Sequence, residues 1–247
     1  MPDGIGRKLR LPELLLGLVA VAVAVAVTGV SVAHAVRDVK RARDTITVTG
    51  SAREPITSNV VHWSLAVDAA AARPQDAVRQ VQSRAAAVRA FLEGGGLPGD
   101  AVSEPPLVTR PIMLRVGTKR RVPGFRVIQR FRVSSTDIDR VEAVAARTSD
   151  LLAQGIPVST TSLSYLATKL ADAKIRALKK AVADAHRRAK TIVAGIGGKL
   201  GSVKSAELGV YQVVARNSTN VSDYGINDTA SRDKEVYSVA SVTFRVR

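Results

Sequence analysis

The stretch Ser164–Gly198, SYLATKLADAKIRALKKAVADAHRRAKTIVAGIGG, leaves this chain few ways to fold. Ile175, Leu178, Val182, Ala185, Ala189, Ile192 and Ile196 follow one another at alternating spacings of three and four. That spacing predicts one long amphipathic helix with these residues on its buried face. Lys174, Lys179, Asp184, Arg187 and Arg188 fall mostly off that face, and Gly195, Gly197 and Gly198 end the helix. Such a stripe does not hold a helix alone. Burying an aliphatic side chain is worth roughly 1.5–3 kcal/mol, while ordering each residue costs roughly 1–2 kcal/mol in backbone entropy. The helix must pack on a sheet. On this reading Val182→Asp buries an unpaired charge and prevents folding.

Strand patterns supply the sheet. Thr45–Ser51 alternates and ends at Arg53-Glu-Pro55, and Val61, Trp63, Leu65 and Val67 give a second strand one buried face, with Trp63 as a core anchor. Pro74 opens a helix with the stripe Val78, Val81, Ala85, Val88 and Leu92, closed by Gly94-Gly-Gly96. Leu107–Val116 and Phe125–Ser134 read as a hairpin with a basic tip, Gly117–Arg121, followed by a Val122-Pro-Gly124 break. Ser135 and Thr136 cap a helix with the stripe Ile138, Val141, Ala145, Thr148 and Leu152. Gly155–Leu163 reads as a strand leading into the long helix. Leu200–Ala215 is a strand broken at Gly201 and Gly209, Arg216–Lys234 a polar loop, and Glu235–Arg247 a cleanly alternating last strand. The fold class is α+β: an antiparallel or mixed sheet packed against three amphipathic helices.

A basic leader, residues 1–13 with Arg7, Lys8 and Arg10, precedes Leu14–Val36, an uncharged run long enough to cross a hydrocarbon core of about 30 Å. It reads as a transmembrane anchor. Ala33-His34-Ala35 is also a pattern that a signal peptidase cuts, which leaves a secreted or periplasmic product as the alternative. Basic residues flank the run on both sides, so charge does not decide orientation. A charged linker, residues 37–44, leads to the α+β domain expected over residues 45–247, in which Val60–Leu163 reads as one lobe and the long helix with the last strands as a second, with no firm boundary between them.

Of 247 residues, 37 are Lys or Arg and 21 Asp or Glu, for a net charge of +16. The charge is dispersed and RNA-stacking aromatic signatures are missing, so nucleic acid is not the expected partner. An anionic lipid or polymer of the envelope suits this charge better. With aromatics at 4%, the core must rest on aliphatic residues and alanine, and without cysteine there is neither a disulfide nor a thiol chemistry.

Ile46-Thr-Val-Thr-Gly50, Ala90-Phe-Leu-Glu-Gly94 and Gly124-Phe-Arg-Val127 are followed, from Leu166 onward, by ATKLADAKIRALKKAVADAHRRAKTIVAGIGGKLGSVKSAELGVYQV, then NSTNVSDYGINDT and the closing alternating strand. Together these carry a resemblance to the SIMPL-domain family of bacterial envelope proteins, strongest from Leu166 onward. It implies an extracytoplasmic location for the C-terminal domain, an α+β fold and a tendency to form homo-oligomers. It implies no settled reaction, and it carries a loose association with stress defence.

No residue pattern announces catalysis. His34, His62 and His186 lack metal-ligand spacing. GIGGKL at Gly195–Leu200 fails as a phosphate loop, because it lacks the first Gly and the Ser/Thr and ends a helix rather than opening one. Asp223, Asp228, Asp233, Asn220 and Asn227 gather in one loop without the calcium-loop spacing. Neither cofactor nor metal is expected. The expected interaction surface comprises Lys119, Arg120, Arg121, Arg126, Arg130 and Arg132 on the hairpin, with Asp223, Tyr224 and Asp228 on the loop. The sequence thus reads as a non-enzymatic, membrane-anchored envelope protein acting by self-assembly or partner binding. The alternatives are a small-molecule or anionic-polymer binding module and a hydrolase-like enzyme with a carboxylate site in the loop at residues 217–233.

Overall fold

The computed structural model describes residues 44–117, 120–220, 222 and 224–247, together with Ala22, Val25 and Thr28, which are helical. The rest of the apolar run, the leader, the linker at residues 37–43, His34, Lys119 and Asp223 lie outside the described residues. Among the described residues no helix is long and apolar enough to cross a membrane.

In chain order the elements are β1 (Thr45–Thr57), β2 (Val60–Ala71), α1 (Pro74–Gly94), β3 (Val102–Ser103), β4 (Val108–Val116), β5 (Arg120–Ser135), α2 (Ile138–Ala146), α3 (Ser149–Ala153), β6 (Val158–Thr160), β7 (Ser164–Leu166), α4 (Ala171–Gly195), β8 (Leu200–Leu208), β9 (Gln212–Ala215) and β10 (Asp233–Val246). The fold is α+β with two sheets. One runs β3-β5-β2-β6, with β4 beside β5 and β7 beside β2; the other runs β1-β10-β8, with β9 beside β10.

The chain forms two compact units, and β1, α4, β8 and β10 each contribute to both. The larger unit, Ser51–Ala183 with Leu208–Ala240, holds the six-stranded sheet. Its core is the alternating face of β2 (Val61, Trp63, Leu65, Val67) against Phe131 and Val133 of β5 and against α1. Trp63 is buried, and its indole Nε1–H donates to Thr160 Oγ1 at 2.6 Å. The smaller unit takes the chain up to Gly50, Asp184–Glu207 and Ser241–Arg247. Val48, Val242 and Phe244 from the strands meet Ala185 and Ala189 of α4 there. The hydroxyls of Thr47 and Thr243 (2.9 Å) and of Thr49 and Ser241 (2.8 Å) pair across the strands.

Several expectations give way, each for a physical reason. The long helix begins at Ala171, since Ser164–Leu166 pairs with β2 as β7. Its buried apolar residues are Ala173, Ala177, Ala181, Ala185, Ala189 and Val193, a strict four-residue ridge. Ile175 (52% exposed), Val182 (39%), Ile192 (47%) and Ile196 (74%) face outward, and Leu178 is half-buried. Four-residue ridges are inclined to the helix axis, and a ridge of alanines lets backbone approach sheet closely. Close approach selects small residues over the larger aliphatic stripe. Val182→Asp therefore places its charge in water and does not prevent folding.

β1 continues through Arg53-Glu-Pro55 to Thr57, because it lies at an end of its sheet, where the missing proline N–H is tolerated. Val122-Pro-Gly124 is part of β5, paired with Leu114, Met113 and Ile112 of β4. A side chain at Gly124 would bring its Cβ within 2.9 Å of the Ala71 carbonyl, so glycine there serves close approach rather than a turn. The helix expected after Thr136 is two, α2 and α3, and the break at Arg147–Thr148 turns Leu151 into the core and leaves Leu152 exposed. Its cap is Asp137, whose carboxylate accepts from the Arg140 N–H, while Ser135 Oγ accepts from the Asp137 N–H. Gly155–Leu163 contributes only the short β6. Gly201 lies inside β8, where an added Cβ would stand 3.0 Å from the Arg245 carbonyl. The alternation of β10 appears as expected, with Val236, Ser238, Ala240, Val242 and Phe244 buried.

Candidate functional site

The basic hairpin forms from strict antiparallel register. Arg126 stands opposite Arg110, Arg121 opposite Arg115 and Arg120 opposite Val116. Like charges placed across strands repel, so the ribbon favours an anionic neighbour. Arg120, Arg121, Arg126, Arg130 and Arg132 are all exposed, and Arg126 has Asp68 at 3.4 Å. On the opposite face, Val127, Phe131 and Val133 are buried with Gln129, whose side-chain amide donates to the carbonyls of Pro105 and Arg130, each at 2.9 Å.

The polar loop between β9 and β10 belongs to the other sheet. The loop is tied down from several directions. Val213 N–H donates to Ile226 O (2.7 Å), Asp228 N–H to Val213 O (2.8 Å) and Tyr165 N–H to Thr229 O (2.7 Å). Asp228 is a turn residue: its carboxylate accepts from the N–H groups of Ala230 (3.0 Å) and Ser231 (3.2 Å). Lys234 is fully buried, and its ammonium donates to the carbonyls of Tyr165 (2.6 Å) and Asp228. Burial pushes its pKa down. Tyr224 is 97% exposed.

A concave site that no sequence signal marked lies in the larger unit, at the N-terminus of α2. A cavity of about 390 Å³ is lined by Ser58, Asn59, Thr136, Asp137, Ile138, Asp139, Lys169 and Arg232. They come from four separate stretches of chain, so neither spacing nor periodicity gathers them. Ser58 N–H donates to Arg232 O at 2.9 Å. The Asn59 side chain bonds Thr168 through both its oxygen and its nitrogen, which fixes the turn into β2. Arg140 donates twice to the Asp137 carboxylate, its backbone N–H to Oδ1 and its guanidinium to Oδ2, both at 3.1 Å, and holds the carboxyl below its usual pKa. Arg232 donates to Asp139 Oδ1 (2.5 Å) and Glu142 Oε2 (3.3 Å). The Tyr165 hydroxyl donates to Glu142 Oε1 at 2.8 Å, and burial, with that carboxylate second, pushes the phenol up to about 12. The Ser58 hydroxyl is the one buried side-chain polar atom without a hydrogen-bond partner among the described residues.

In the smaller unit a second cavity, of about 360 Å³, is lined by His186, Lys190, Ala194, Gly198, Lys199, Leu200 and Gly201. His186 is exposed and meets the Phe244 ring edge-on at 5.7 Å, and His62 is exposed on β2. No group of three His, Asp or Glu among the described residues is arranged to hold a metal.

The model of the family SIMPL, described as a protein of unknown function (DUF541), matches residues 46–246. No curated protein matches the chain.

Proposed function

Because the chain belongs to the SIMPL family, whose function is unknown, we propose that it is a non-enzymatic, membrane-anchored extracytoplasmic domain that works by assembling with copies of itself or docking a partner in the cell envelope. The observation that carries this reading is the aliphatic surface of α4. The part of the helix in the larger unit exposes Ile175 and Val182, and the part in the smaller unit exposes Ile192, with Ile196 exposed in the turn that follows it. Isolated exposed aliphatics are ordinary, but large aliphatics repeated along one helix while its alanines go inward form a surface suited to cover by protein. The arginine ribbon of β4 and β5 supports an anionic envelope component as a further contact. The apolar run Leu14–Val36 supplies the anchor in this reading.

Light-scattering mass of the full chain in detergent, at two salt concentrations, tests self-assembly. The expected result is a discrete oligomer at both salts. The pairs Ile175→Lys with Val182→Lys, and Ile192→Lys with Ile196→Lys, lower the mass while leaving the thermal transition in place. A single-chain mass for the wild type at both salts counts against self-assembly. A second reading, a small-molecule binding module, draws on the cavity at the N-terminus of α2.

A further inference from the structure

We infer that the six-stranded sheet docks on an anionic lipid bilayer by the face turned away from α1, its arginines on headgroup phosphates and its aliphatics on the acyl boundary beneath. The inference rests on the reading of the β4–β5 ribbon as a contact for an anionic envelope component, and it is independent of self-assembly.

Strand pairing sorts the side chains. Partners across an antiparallel pair share a face, and so do residues two apart on one strand. The pairs Val108–Ile128, Arg110–Arg126, Ile112–Gly124 and Leu114–Val122 therefore share one face with Arg120, Arg130 and Arg132. Val127, Phe131 and Val133 lie on the other, packed with α1. On the open face Arg110, Arg120, Arg126, Arg130 and Arg132 are exposed, and Val108, Ile112, Leu114, Val122 and Ile128 are half-buried. Asp68 of β2 is the one acidic residue in the six strands, and it stands 3.4 Å from Arg126. Arg110, Arg120, Arg130 and Arg132 have no ion pair among the described residues. Arginines of the helical side differ: Arg79 pairs with Asp76 (3.2 Å), Arg89 with Glu104 (2.6 Å) and Arg140 with Asp137 (3.1 Å).

Whatever covers this face must answer both kinds of residue. A soluble anionic polymer takes the arginines and leaves the aliphatics half in water. A single-stranded nucleic acid needs aromatic platforms, and Trp63, Phe125, Phe131 and Tyr165 all fall on the other face. An anionic bilayer presents phosphates with hydrocarbon just below them, and arginine stems lie along apolar surface while their heads reach the phosphates. The sheet then meets the bilayer face-on. Ile112 turns toward it, and its neighbour Met113, 57% exposed, turns away.

The chain has no cysteine, so a single introduced one carries a dye at a chosen place. Ile112→Cys and Met113→Cys, each in the full chain and labelled with one environment-sensitive dye, are mixed with excess vesicles whose acyl chains are brominated to quench it. The vesicles are phosphatidylcholine alone, or phosphatidylcholine and phosphatidylglycerol in equal parts. The dye on Ile112→Cys should be quenched at least about threefold more in the anionic vesicles, and the dye on Met113→Cys little in either. Val122→Cys, on the same face as Ile112, repeats the reading if the first label disturbs the hairpin. Arg120→Glu with Arg130→Glu should remove most of the anionic gain and leave the thermal transition in place. Equal quenching in neutral and anionic vesicles overturns the proposal. So does equal quenching at the two neighbouring positions, or an undiminished gain in the Arg→Glu chain. Polyglutamate without vesicles separates this proposal from the reading beneath it. If polyglutamate shifts the Ile112→Cys emission and anionic vesicles do not quench it, the lipid assignment is wrong and the anionic contact stands. If neither acts, both fall.

Discussion

Glu54 shows how far a single residue can depart from what its neighbours in sequence suggest. It sits in Arg53-Glu-Pro55, which reads as the end of a strand, yet β1 runs through it and its carboxylate is nearly buried. Oε1 accepts from Arg176 Nε and Oε2 from Lys180 Nζ, both at 2.6 Å, across 122 and 126 residues of chain. The Lys180 hydrogen bond first, and Arg176 second, hold its pKa below the ordinary glutamate value. The folded pKa lies below the unfolded one, so the contribution to stability is complete above the unfolded value and is lost as pH falls through the folded value. Glu54→Gln should lower stability at neutral pH by about 1–2 kcal/mol, less than a fully desolvated pair because both cations are more than half exposed. Denaturant melts at pH 7 and pH 3 check this: the gap between wild type and variant should shrink at the lower pH, and an equal gap at both would refute the ion-pair account. Trp63, by contrast, was legible, because a lone large aromatic on an alternating strand has only one face to go to.

At the scale of elements, α4 separates what periodicity can reveal from what it cannot. The helix, its glycine end and its amphipathic character are visible in the spacing, but the choice between two overlapping faces is not. Alternating three- and four-residue steps lead to the aliphatics, and strict four-residue steps lead to the alanines. What decides is the approach of helix to sheet, a tertiary quantity. Ala177 is fully buried against Val236 of β10. Ala177→Leu should therefore destabilise by about 1–3 kcal/mol through overpacking, while Val182→Asp should shift stability by no more than about 0.5 kcal/mol. Thermal unfolding of the two variants decides between the faces, and the reverse ranking would restore the aliphatic stripe as the buried one. The polar loop was legible as a loop, but its anchorage was not, because Lys234 looks like any charged residue before a strand. Lys234→Met keeps the side-chain length and strands the carbonyls of Tyr165 and Asp228. Hydrogen exchange should then quicken across residues 216–232 and hardly change in β2. Unchanged protection in the loop would mean that its backbone pairings suffice without the ammonium.

The whole molecule was readable as α+β and as a SIMPL domain, since alternation, helix periodicity and motif strings survive in the sequence of each element. Two lobes were suggested by the element order, Val60–Leu163 and the long helix with the last strands, but their boundary was not readable, because β1, α4, β8 and β10 each serve both units. The proposed N-terminal anchor belongs to this scale too, because it would decide where the +16 charge of the chain acts. If Leu14–Val36 is retained, the domain is held within a linker of its bilayer, and a linker of residues 37–44 spans at most about 3.6 Å per residue. That reach, about 29 Å, is several times the Debye length of about 8 Å at physiological ionic strength, so basic residues act on anionic headgroups only where the domain lies against the bilayer, and less as salt rises. A protease site placed in residues 37–44 separates anchor from charge. Before cleavage the chain should float with vesicles of neutral or anionic lipid alike. After cleavage the domain should leave neutral vesicles at any salt, and leave anionic vesicles only as salt rises. A chain that begins just after Ala35 and never floats with neutral vesicles would show instead that the apolar run is removed, and would return the protein to the secreted alternative.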